Sequence, residues 1–247
     1  MRQTWIKSLP LVLVLTLGLS FAKEPMTNAE VVAGIKDHLF HAHVFQHGQV
    51  QVAFDNGVAT LSGTLDNLGT KLDAERVTRK VEDVTKVVNN ITVHAEDVTP
   101  RQILEEARKE IVTYPFFTIF DNVVLEAQGE KLIVTGQVTE PVKKEDIGHF
   151  LSHVKGVAEL ENDLEVLPTS VWDDQLRLAI ARAIYHDSYF LQYANQALPS
   201  IHIIVKNGNV TLEGVVANEV DRAKAENDAR FAATFFSLTN NLRVERQ

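Results

Sequence analysis

Nine histidines and no cysteine limit the chemistry open to this 247-residue chain. Four of them, His38, His41, His43 and His47, fall within ten residues, and imidazoles hold Zn2+ or Cu2+. Their spacing matches no established metal signature, no thiolate completes a set, and loop histidines are commonly just solvated. His149 and His153 stand at i, i+4, which places two rings on one helix face, but two ligands make a weak site. No metal is therefore expected. Catalysis has no foothold: Gly-x-Ser-x-Gly, a phosphate-cradling glycine loop, His-Glu-x-x-His and a cysteine nucleophile are all missing from the sequence. The chain reads as a non-enzyme without a cofactor.

Aromatic residues give a stronger signal. They gather at three places: Phe40 and Phe45; Tyr114-Pro115-Phe116-Phe117 with Phe120; and Tyr185, Tyr189, Phe190 and Tyr193. One reading closes the open end of a small core with one or two rings. The other leaves an apolar rim for a bilayer interface or for unfolded client segments. The candidate contact residues are Phe45, Phe116, Phe117, Phe120, Tyr189 and Phe190. Phe116 and Phe117 lead, because three phenylalanines in five residues are hard to bury together. Lys71, Arg76, Arg79 and Lys80 make one locally basic helix, a conceivable lipid-phosphate site. Asp73, Glu75, Glu82 and Asp83 offset it, so a solvated face is the better reading.

The elements that carry these residues are written three times. Val58–Leu65 with its closing Val88–Val93 recurs as Leu132–Val138 with Glu161–Val166, and as Val210–Val216 with Thr239–Val244. Gly63, Gly136 and Gly214 each precede a closing valine by the same 30 residues, a spacing that marks a repeat architecture. Ahead of each hairpin runs a helical stripe: Val31, Ile35, Leu39; Ile103, Ala107, Ile111; Leu176, Ile180, Ile184. Asn56-Gly57 and Asn207-Gly208 are hairpin turns, and Gln128-Gly129-Glu130 takes that place in the second copy. A second helix follows, its stripe broken in the third copy by Asp228, where looser packing is expected. The prediction is α+β: three tandem α-β-β-α-β modules, each a three-stranded mixed sheet with two helices packed on one face. The hairpin pair is antiparallel, and a right-handed crossover makes the last pair parallel. The repeated glycines lie on the inward face, where a close helix crossing is expected to exclude a side chain. Asn89, Asn162 and Asn240 stand before the last strand, suited to bonding a turn backbone.

These landmarks resemble the BON domain: the glycine of the inward strand, the amphipathic helix, a Gly156-Val157 turn in the second copy, and asparagine before an apolar β pair. The boundaries read 27–94, 99–167 and 172–245, the third divergent with a longer loop at 187–200. Membership implies an exported module that contacts phospholipid membrane surfaces or envelope and client proteins, in osmotic or envelope stress. It implies structural roles for the three glycines and no active site. Protein binding by a chaperone or adaptor, without lipid affinity, is the alternative.

Arg2 and Lys7 before the apolar Leu11–Leu19 run, then Ser20-Phe21-Ala22, read as a cleavable signal peptide over 1–22. A periplasmic location follows, and without cysteine no lipoprotein anchor is expected. No later segment has membrane-spanning length. The chain carries a formal charge of −9; losing Arg2 and Lys7 takes it to about −11. That argues against nucleic acid, which is bound by neutralising phosphates with Lys and Arg.

Overall fold

The computed structural model describes residues 26–196 and 198–245; the signal-peptide reading lies outside them. Three modules follow one another. The first is α1 (Asn28–His41), a short 3-10 turn (Val44–Gln46), β1 (Gly48–Asp55), β2 (Val58–Leu65), α2 (Leu68–Thr78) and β3 (Lys86–Val93). The second is α3 (Pro100–Thr113), β4 (Asn122–Gln128), β5 (Lys131–Val138), α4 (Pro141–Ser152) and β6 (Glu159–Val166). The third is α5 (Val171–Tyr185), a 3-10 turn (Ser188–Phe190), α6 (Leu191–Ala194), β7 (Ile201–Lys206), β8 (Asn209–Val216), α7 (Glu219–Ala232), β9 (Ser237–Asn240) and β10 (Arg243–Val244). Each sheet is mixed: β1-β2, β4-β5 and β7-β8 are antiparallel, while β2-β3, β5-β6, β8-β9 and β8-β10 are parallel. The expected α+β repeat is the fold.

Local chemistry sets the elements. Thr27 and Thr99 close capping boxes with Glu30 and Gln102 at the starts of α1 and α3, and Ser170 caps α5. Asn56 and Gly57 take φ of 47° and 81°, and Asn207 and Gly208 take 51° and 74°, the left-handed pair a tight hairpin turn needs. The three predicted helical stripes are buried in three separate cores, so each module carries its own hydrophobic centre.

Three details differ from the sequence reading. The repeated glycines are excluded from a side chain by the neighbouring strand, not by a helix. At Gly63, φ is 133° and an added Cβ would lie 2.1 Å from the Gln49 carbonyl oxygen; Asn122 and Ser200 hold the same place against Gly136 and Gly214. The asparagines lie inside or at the end of their strands and pin the second helix. Nδ2 of Asn89, Asn162 and Asn240 donates at 3.0 Å to the carbonyls of Lys71, Lys144 and Arg222, the fourth residue of each helix. Their Oδ1 atoms accept from Ile91, Leu164 and Leu242 amides two residues on. Asp228 does not loosen α7: it flanks the stripe and takes Lys224 at 2.9 Å, while Ala225 and Ala229 form the buried line. These alanines stand where α4 has Ile147 and Leu151, and the aromatic loop of the third module fills its core instead.

The modules are joined directly. Between the first two, the Leu68 amide donates to the Val157 carbonyl and the Gly156 amide to the Asp66 carbonyl, both at 2.8 Å. His153 lies over Gly69, where an added Cβ would come within 2.4 Å of its ring, and its Nε2 is 3.0 Å from Asp73 Oδ2. Between the last two, the Ile203 amide of β7 donates to the Ile119 carbonyl at 2.7 Å, and Ile119 and Phe120 pack on the third core.

Candidate contact surfaces

The candidate aromatic residues separate into core and surface. Phe190 is fully buried in the third core, which removes it from the contact set. The extra loop turns back through a 3-10 turn capped by Asp187 and drives the ring inward. Tyr193 and Tyr189 follow it, their hydroxyls donating to the buried Asp221 at 2.5 and 2.6 Å. Burial, then the bond to Asp221, pushes the Tyr193 phenol up to about 12. Phe117 is half-buried against the second core and lies 5.9 Å from the His202 ring; Phe120 is half-buried against the third. Phe116 stays exposed at 65%, Tyr189 at 42% and Phe45 at 39%. The segment therefore splits its rings between closing cores, joining modules and facing solvent.

The histidines converge on no metal site: among the described residues, no group of three or more His, Asp or Glu is placed to hold an ion. His47 Nδ1 meets Asp66 at 2.9 Å, while His38 and His41 bond the Val77 and Asp37 carbonyls. His153 spends both nitrogens on the His149 carbonyl and on Asp73. The basic helix is paired within itself, Arg76 with Asp73 at 2.6 Å and Arg79 with Glu75. Burial works to raise the Asp73 carboxyl, and the hydrogen bonds from Arg76 and His153 outweigh it, leaving it below the usual carboxylate range.

Two polar features lay outside the sequence reading. In the second module a fully buried Asp121 takes Lys143 at 2.7 Å and the Thr118 and Thr139 amides at 2.9 Å. In the third, the outer edge of β7 is closed by side chains. Tyr185 donates its hydroxyl to the Ile201 carbonyl, and Arg177 donates Nη2 to the Val205 carbonyl at 2.6 Å. Between them sits the Ile203–Ile119 backbone bond. Buried Asp173 accepts the Asn207 and Gly208 amides, both at 2.8 Å. Burial raises the Tyr185 phenol well above its ordinary value, so it remains a donor. A polar residue flanking the inward stripe of α5, where α1 and α3 have apolar ones, was the available signal.

Three small mixed sheets, each packed with helices and joined through backbone bonds, define a class of tandem α+β modules. The BON domain matches residues 27–95, 102–168 and 173–246, and the chain belongs to that family. No curated protein matches the chain. Among solved structures, the C-terminal domain of CdsD, a structural protein of the type III secretion system of Chlamydia trachomatis, is 14% identical, covering 90% of this chain and all of that one, with a TM-score of 0.25. The PrgH periplasmic domain is 12% identical over 83% of this chain and all of that one, with a TM-score of 0.21. Superpositions this weak carry no functional inference. No helix among the described residues is long and apolar enough to cross a membrane.

Proposed function

We propose that the chain is a non-enzymatic module of the bacterial envelope that works by surface contact, chiefly with other polypeptides, as a chaperone-like or adaptor scaffold. The carrying observation is an acidic surface with exposed rings. Phe40 and Phe116 are 68% and 65% exposed, while Arg76 and Arg79 of the one basic helix are occupied by neighbouring carboxylates and the net charge is −9. Such a surface has little to offer a lipid phosphate and suits apolar polypeptide. Family membership and the N-terminal apolar run support the envelope setting and a role in osmotic or envelope stress.

Phospholipid contact is the second reading, favoured by Phe231 and Phe236, which stand out at 88% and 84% exposure on the third module. Flotation with phosphatidylethanolamine and phosphatidylglycerol vesicles, beside suppression of aggregation of an unfolded client, separates the two. The expected result is suppression without flotation; flotation without suppression would replace the polypeptide reading with the lipid one. Phe116→Ser should weaken suppression about threefold while shifting the melting temperature by no more than about 2 °C, as for other exposed substitutions.

A further inference from the structure

We infer that the outer edge of β1 is a docking site for an extended apolar segment of another polypeptide, which adds to the first sheet as a further strand. This rests on the polypeptide reading above and names its site.

The third module displays the occupied form of the same edge. The turn Thr118–Asp121, closed by its own Asp121 amide to Thr118 carbonyl bond, sits against β7 and offers the Ile119 carbonyl to the Ile203 amide at 2.7 Å, with Tyr185 and Arg177 closing the carbonyls on either side. The repeat maps these positions onto the first module. Ile203 pairs with Leu212, and Val52 with Leu61, at matching distances from their Asn-Gly turns. Val52 therefore directs its amide outward as Ile203 does, because inward and outward bonding alternate along an antiparallel strand. The inward stripes align Leu39 with Ile184 and Val31 with Leu176, so Phe40 stands for Tyr185 and Val32 for Arg177. Neither can donate to a carbonyl. Among the described residues, α1 and the Val44–Gln46 turn pack against β1, and no hydrogen bond from a segment other than β2 reaches its backbone.

The strand itself is suited to pairing. It runs eight residues, Gly48–Asp55, with no proline or lysine and a single charge at its far end. Edges are normally blunted by such residues, as Glu159, Glu161, Asp163 and Glu165 blunt β6 and Glu126 interrupts β4. Phe40, exposed and holding the place that Tyr185 has in the third module, offers an apolar contact to the incoming side chains. Backbone bonds supply affinity and alternate side chains supply preference, the usual division in strand addition.

The probe is a fluorescent peptide copying Phe117–Asn122, the stretch that occupies β7, titrated into the full chain with amide exchange followed by NMR. It should bind, slowing exchange at Val50–Phe54. Val52→Pro, which removes the outward amide from an edge position that tolerates proline, should weaken binding about tenfold, the effect of one lost hydrogen bond. Val32→Arg with Phe40→Tyr closes the edge without touching β1 and should weaken binding comparably, which keeps the test sound if the proline variant fails to fold. No binding at millimolar peptide overturns the proposal. So does protection at β7 or elsewhere in place of β1, or protection of β1 by phospholipid vesicles and not by peptide. Client suppression that survives both variants would leave the polypeptide reading standing and remove this edge as its site.

Discussion

β1 and β7 occupy the same place in two copies of one module and meet opposite fates. β7 is closed along its length by Tyr185, Arg177 and the stretch around Ile119, with Asp173 bracing its turn. β1 has Phe40, Val32 and Asn28 at the corresponding positions and, among the described residues, no such hydrogen-bond partners. The difference lies in a handful of side chains off the inward stripe. Three inward stripes specify the same module three times, while residues one step off the stripe decide whether its edge is finished or available.

Breaking the closed edge should have the largest effects. Asp173→Ala strands the buried Gly208 amide and the part-buried Asn207 amide, each bonded at 2.8 Å, and should cost about 3 kcal/mol in chemical denaturation of the third module. Arg177→Leu keeps most of the volume but leaves the Val205 carbonyl unpaired; about 2 kcal/mol is the expected loss by the same measurement. Val32→Leu, at the matching position of the first module, should change stability by less than about 0.5 kcal/mol.

A pH series sharpens the comparison. Burial pulls the His202 imidazole below its ordinary value, only partly offset by Asp121 and Thr118 across the second–third module contact and by Glu213 opposite it on β8. The native state thus resists a proton that the unfolded chain accepts. Stability from this group is fully present above the unfolded value of about 6.5 and declines as pH falls below it. Melting scans from pH 7.5 to 5.5 should record a loss of stability assigned to the third module, and His202→Gln should flatten that part of the curve.

Much of the architecture was legible because it repeats. The 30-residue spacing, the Asn-Gly turns and the three helical stripes are local patterns, and one fold satisfies all of them. What escaped depends on contacts between distant residues. Asn89 reaches the Lys71 carbonyl 18 residues back, which no periodicity reports. Phe190 read as a surface ring because the loop length at 187–200 says nothing of direction; Ala225 and Ala229 on α7 were the sign that a large side chain had to enter from elsewhere. Buried Asp121 with Lys143, and buried Asp221 bonded by two tyrosine hydroxyls, carry no local pattern that marks them. Of the candidate contact residues, Phe116, Tyr189 and Phe45 keep substantial exposure, whereas Phe117 and Phe120 are half-buried between modules.

The most direct test is residue-resolved hydrogen exchange on the free chain, comparing the Val52 amide with that of Ile203. A finished third edge and an open first one require Val52 to exchange at least about a hundredfold faster, since its only barrier is solvent access and not the opening of a bonded strand. Equal protection at both amides would mean that the first edge is already covered, and the distinction between the two modules would fall.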